Sequence, residues 1–105
     1  MINEYIYLKI LFSYMIMKIF SGTANEELAA KVCNYLDTKL SDINISKFSD
    51  GEIKLVINEN VRKQDCFIIQ PTGPSESSSP NDNYMELFIL IDALKRGSAN
   101  SVTVV

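Results

Sequence analysis

The sequence predicts an α/β fold, a mixed sheet flanked by helices. Short runs that are apolar throughout or at every second position read as strands, and two segments with apolar residues every three to four positions read as helices. Turn-forming residues separate them in an order suited to helices layered on a sheet. The 105 residues leave room for one domain, for which roughly 100–200 residues is usual, and no repeat or linker marks a second. A chain 47% hydrophobic and 22% charged has the composition of a packed core rather than of a disordered segment.

The first strand is expected at residues 17–20, closing at Ser21-Gly22. Thr23-Ala24-Asn25-Glu26 fits a T-x-x-E capping box, in which hydroxyl and carboxylate satisfy the free amides that open a helix. Leu28, Ala29, Val32, Cys33 and Leu36 then form one helical face to pack on the sheet. Ile43, Ile45 and Lys47 alternate with Asn44, Ser46 and Phe48, and Ile53, Leu55 and Ile57 alternate with Lys54 and Val56; these two strands flank Ser49-Asp50-Gly51. Glycine takes positive φ at no steric cost and aspartate bonds nearby amides, so the pair predicts a hairpin. Residues 65–70, DCFIIQ, read as a buried strand, and 71–81, PTGPSESSSPN, as a polar, mobile loop. Asn81, Asp82 and Asn83 are expected to cap a second helix with Tyr84, Leu87, Phe88, Ile91 and Leu94 as its apolar stripe. Lys95 and Arg96 suit its negative end and Gly97 its stop. VTVV, 102–105, opens a last strand. In open α/β sheets, ligand groups gather beyond the carboxyl ends of strands, so a sequence ending here is expected to hold only part of such a domain.

Composition narrows the chemistry. With no histidine there is no imidazole base, no histidine-based triad and no histidine-containing zinc site. A formal charge of −3 with scattered lysines and arginines argues against nucleic acid as a partner. Cys33 and Cys66 sit inside apolar patterns and are expected as buried, reduced thiols. Residues 5–20 are the most hydrophobic stretch, but Lys9 and Lys18 limit the uncharged run to 10–17, short of the about 20 residues a spanning helix needs. No membrane partner is expected. A secretory leader is a weaker alternative to a cytoplasmic chain.

Four segments, KIFSGTANEELA (18–29), ISKFSDGEIKLVINENVR (45–62), DCFIIQPT (65–72) and NDNYMELFILIDALKRGSANSVTVV (81–105), together resemble the N-terminal part of ribose-phosphate diphosphokinase, also called phosphoribosyl pyrophosphate synthetase. The resemblance runs from about Lys18 to Val105 and rests on FSDGE, NDN-x-MEL and IDALKR-x-SA in the family's order. It implies an incomplete N-terminal phosphoribosyltransferase-like domain over residues 17–105. It also implies an enzyme that transfers the diphosphoryl group of ATP to ribose 5-phosphate with Mg2+, in a homo-oligomer or a hetero-oligomer with family members. The catalytic groups and the magnesium ligands are expected outside these 105 residues, leaving the chain inactive alone.

The resemblance also assigns roles. Phe48, Asp50, Gly51 and Glu52 are implied to hold the adenine of ATP in a neighbouring subunit's site, the ring stacking on the base and the carboxylates accepting from its exocyclic amine. Read alone, this turn is an ordinary hairpin tip. Asn60, Arg62 and Ser98 match positions that bind a regulatory phosphate, where an arginine fork suits the oxygens; the plain alternative is a solvated arginine and a serine after a helix. Ser21, Gly22 and Thr23 fit neither G-x-G-x-x-G nor a P-loop and read as strand-to-helix punctuation. Three departures stand out: Lys63 where the family has glycine, a longer serine-rich loop at 73–80, and an additional leader at 1–16. The leader is either a targeting segment or an upstream extension of a chain starting at Met15 or Met17. Apart from the enzyme, a non-catalytic subunit joining family oligomers and a product without a stable fold are the alternatives.

Overall fold

The computed structural model describes residues 4, 6, 17–73 and 79–105. The expectations for the leader and for mobility of the serine-rich loop therefore fall largely outside the described residues; Glu4 and Ile6 are helical and exposed. From residue 17 the order is β1 (Met17–Ser21), α1 (Glu26–Tyr35), β2 (Ile43–Lys47), β3 (Ile53–Ile57), β4 (Asp65–Ile69), α2 (Pro80–Arg96) and β5 (Ser101–Val104). β1, β4 and β5 form a parallel sheet in the order β1-β4-β5, while β2 and β3 pair antiparallel as a separate hairpin. The expected α/β architecture is present, with its parallel and antiparallel pairings divided between two sheets.

Side-chain alternation splits the core between the two faces of the parallel sheet. Phe20, Cys66 and Ile68 pack with Val61 and with Leu87, Leu90 and Leu94 of α2, and Ile43, Leu55 and Ile57 of the hairpin extend this cluster. On the opposite face Ile19 and Ile69 meet Ala29 and Cys33 of α1. The loops leaving β1 and β4 thus run to helices on opposite faces. Both cysteines are free and buried, and belong to different clusters.

Three local expectations require correction. Asn25, not Thr23, caps α1, accepting from the Leu28 amide at 3.0 Å; Thr23 instead bonds Glu86 of α2 through amide and hydroxyl. Ser79, with Pro80 beside it, caps α2 by accepting from the Asp82 amide, and places Asn81, Asp82 and Asn83 inside the first turn. The buried stripe of α2 is Asn83, Glu86, Leu87, Leu90 and Leu94, which leaves Tyr84 and Phe88 exposed and stacked on each other at 6.2 Å. The polar start of that stripe carries no hydrophobic signal. Gly97 closes α2 as expected, at φ −76°, and the left-handed conformation falls on Ser98, at φ 64°. The glycine is needed for clearance, since a Cβ there would lie 2.7 Å from Val61 Cγ2.

The apolar face predicted for α1 is buried at Ala29 and Cys33 and half-buried at Val32. Leu28 and Leu36 stay exposed and, with Met17, Val32, Phe67 and Val105, line an apolar groove of about 560 Å³.

Candidate functional site

The tip between β2 and β3 is built by its sequence. Gly51 has φ 89°, its amide donates to the Phe48 carbonyl at 2.9 Å, and the Phe48 amide donates to the Glu52 carbonyl at 2.7 Å. Asp50 accepts from the Glu52 amide at 3.0 Å, the local bond expected of aspartate in a turn. Phe48, Asp50, Gly51 and Glu52 are thereby brought together, all exposed. The Phe48 ring, 51% exposed, stacks on no aromatic partner among the described residues. An aromatic face beside two carboxylates on a hydrogen-bonded turn can stack a planar ring and accept from its amino hydrogens.

Asn60, Arg62 and Ser98 come together at a second corner. Asn60 accepts from the Arg62 amide at 3.0 Å, and the Lys63 amide donates to the Ser98 carbonyl at 2.9 Å, tying this turn to the end of α2. Arg62 is exposed, without an ion-pair partner among the described residues. Lys63 has φ 61°, a conformation in which glycine is at ease and lysine is not. That accounts for the expected glycine and for the strain its replacement introduces.

The amides of Gly22, Thr23 and Ala24, in the turn from β1 to α1, already have partners. Glu86, 3% exposed, accepts from the amide and hydroxyl of Thr23 and from Gln70 Nε2, while Gln70 Oε1 takes the Ala24 amide at 3.2 Å. The Gln70 amide occupies the space beside Gly22, where a Cβ would lie 2.2 Å from Oε1. Turn amides that could receive an anion are thus occupied by side chains from β4's exit and α2. This agrees with reading Ser21, Gly22 and Thr23 as punctuation.

Among the described residues, two ion pairs connect the hairpin to the body. At its root Lys18 of β1 meets Glu59 at 2.7 Å, and Glu59 also accepts from the Asp42 amide. Near its tip Lys47, the last residue of β2, meets Asp82 of α2 at 3.3 Å. Between hairpin and body lies a polar cleft of about 430 Å³, lined by Thr23, Glu26, Ile45, Ser46, Lys47, Asp82 and Glu86. Hydrogen bonds from Lys47 and Ser79, then the Lys47 charge, hold the Asp82 carboxyl below its ordinary value. Neither Lys47 nor Asp82 was singled out as a site residue by sequence, because a lysine in an alternating strand and an aspartate at a helix start both have ordinary local readings. No group of three or more Cys, Asp or Glu among the described residues is arranged to hold a metal ion. No described helix is long and apolar enough to cross a membrane.

Residues 17–105 match the family model for the N-terminal domain of ribose phosphate pyrophosphokinase. A ribose-phosphate pyrophosphokinase of Thermosipho africanus (strain TCF52B) is 58% identical over 89 residues, which are 85% of this chain and 27% of that protein. The crystal structure of phosphoribosylpyrophosphate synthetase from Mycobacterium smegmatis superposes with a TM-score of 0.75 at 37% identity, covering 85% of this chain and 28% of that one. A purine phosphoribosyltransferase from Pyrococcus horikoshii Ot3 shares the fold alone, with a TM-score of 0.57 at 13% identity over 98% of this chain and 72% of its own. The chain thus spans 27% of the length of its Thermosipho relative.

Proposed function

Because the chain belongs to the ribose phosphate pyrophosphokinase family, whose N-terminal domain its residues 17–105 match, we propose that it contributes the adenine-holding hairpin of an enzyme that transfers the diphosphoryl group of ATP to ribose 5-phosphate. Phe48 stacks on the base, Asp50 and Glu52 accept from its exocyclic amine, and Gly51 supplies the turn. The observation carrying this is the tip itself: an exposed ring and two carboxylates on a turn fixed by its own hydrogen bonds, without an aromatic partner among the described residues. A tip exposed in this way suits a site completed by a neighbouring subunit, in a homo-oligomer or with other family members.

Phosphoryl-type transfer relies chiefly on orientation and charge stabilisation. Magnesium would supply charge neutralisation on the phosphates; its ligands belong to other parts of the longer protein. The 105 residues alone are therefore inactive. Asn60, Arg62 and Ser98 form an anion corner for a regulatory phosphate, and the working compartment is the cytoplasm.

The test replaces the matching residues of the Thermosipho africanus protein by residues 17–105 of this chain and measures the KM for ATP. Stacking on an aromatic side chain is worth about 1–3 kcal/mol per base, so Phe48→Ala should raise KM at least about five-fold, with Glu52→Gln acting in the same direction. Unchanged KM in both variants removes the adenine assignment. Phosphoribosyl pyrophosphate formed by the purified 105-residue chain would disprove its inactivity.

A further inference from the structure

Beyond Lys47 and Ile53 the tip is held by its own hydrogen bonds, Phe48 amide to Glu52 carbonyl, Gly51 amide to Phe48 carbonyl and Glu52 amide to Asp50 carboxylate. These fix its shape but not its direction. Packing of Leu55, Ile57 and Ile43 against the core anchors the hairpin nearer its root, where Lys18–Glu59 also sits. Between that anchor and the tip lies the open cleft, and Lys47 Nζ to Asp82 Oδ2, at 3.3 Å, crosses it. Lys47 immediately precedes Phe48, and successive strand residues project to opposite sides. Lys47 closes β2 and Phe48 opens the turn, so a Lys47 side chain drawn toward α2 fixes the strand end from which the Phe48 ring departs.

We infer that the Lys47–Asp82 pair is a positioning device: it ties the hairpin to the first turn of α2 across the cleft and so sets the direction in which Phe48, Asp50 and Glu52 present themselves. The inference rests on the adenine-contact reading for its functional consequence and on the geometry alone for its structural one. Ser79 holds the other partner in place, since its hydroxyl caps the turn that carries Asp82 and accepts from the Asp82 amide at 3.2 Å. Neither residue touches the base; both act through the tip.

Two measurements test it. In the 105-residue chain, backbone order parameters of the tip amides should fall in Lys47→Met from about 0.85, the rigid value, toward about 0.6. The charge-swapped double variant Lys47→Asp with Asp82→Lys should restore them. Unchanged tip order in Lys47→Met overturns the proposal. In the Thermosipho chimera the same variant should raise the KM for ATP about two- to five-fold, the range for a solvent-exposed ion pair, leave kcat in place, and recover in the swap. A rise with Phe48→Ala but not with Lys47→Met would also count against the pair. If neither variant changes KM, the adenine reading fails, and the order parameters still decide whether the pair directs the tip.

Discussion

Lys63 holds φ at 61° in the turn that joins the Arg62 corner to Ser98. A side chain in that region costs about 1–2 kcal/mol, and glycine's larger entropy loss on folding returns about 0.5–1 of it. Lys63→Gly should accordingly stabilise the chain by about 0.5–1 kcal/mol, seen as a higher midpoint of urea unfolding with unchanged slope. Glu86 presents the opposite case. Its carboxylate accepts from Thr23's amide and hydroxyl and from Gln70 Nε2, so Glu86→Ala removes these bonds, one of them to the buried Gln70, and should cost about 1–3 kcal/mol. A solvated glutamate at that position would cost within about 0.5 kcal/mol, and the same unfolding curve separates the two. The Asp50-Gly51 turn was legible because its bonds run between near neighbours. Glu86 was not: a glutamate inside a helix reads as solvent-facing, and its partners Thr23 and Gln70 come from two other elements.

Between elements, Lys18–Glu59 fastens β1 to the end of the hairpin. Burial alone pushes the Glu59 carboxyl up, but hydrogen bonds from Lys18 and the Asp42 amide, with the Lys18 charge, bring it below its ordinary 4.5. A carboxyl held below its unfolded value adds stability that is complete above 4.5 and is lost as pH falls through the folded value. Asp82 and Asp65 are shifted the same way, Asp65 by hydrogen bonds from Asn100 and Ser101. Unfolding free energy should therefore fall on acidification below pH 4.5, and Glu59→Gln should flatten that fall. Strands, hairpin and both helices were legible as elements, since apolar period and turn residues are local signals. The caps were misplaced because Thr23, Asn25, Ser79 and Asn81 are all competent capping residues, and tertiary partners decide which one serves. Thr23 is drawn to Glu86, so Asn25 closes α1. For α2, Tyr84 and Phe88 of the predicted stripe gave way to Asn83 and Glu86 because the Gly73 carbonyl accepts from the Asn83 side chain and Gln70 donates to the Glu86 carboxylate.

Over the whole molecule, the two faces of the parallel sheet are covered unequally. Among the described residues, α2 and the hairpin close one face, whereas α1 leaves the groove lined by Leu28 and Leu36 open. Leu28 and Leu36 remain accessible there. An apolar dye such as ANS should bind the folded chain; Leu28→Glu with Leu36→Gln should reduce binding while changing stability little, as both side chains are already exposed. The covered face protects Cys66, whose thiol is pushed up to about 11 by burial and then by the Asp65 charge, with Lys18 opposing. Folded chain at pH 8 should resist alkylation at Cys66, and urea should release it. That both cysteines are core thiols was visible in their apolar surroundings; that they belong to different clusters required the order β1-β4-β5. The same strand order carries a consequence for how the chain comes together in time. Hairpin partners such as Lys47 and Ile53 are near neighbours and can meet within about 1–10 μs, but Met17 must find Asp65 across α1 and the entire hairpin. Closing that long loop costs entropy before any sheet contact repays it. The segment bearing Phe48 and Glu52 can therefore take shape first, with the central pairing of β1 and β4 as the slow event that gives it a body to stand on.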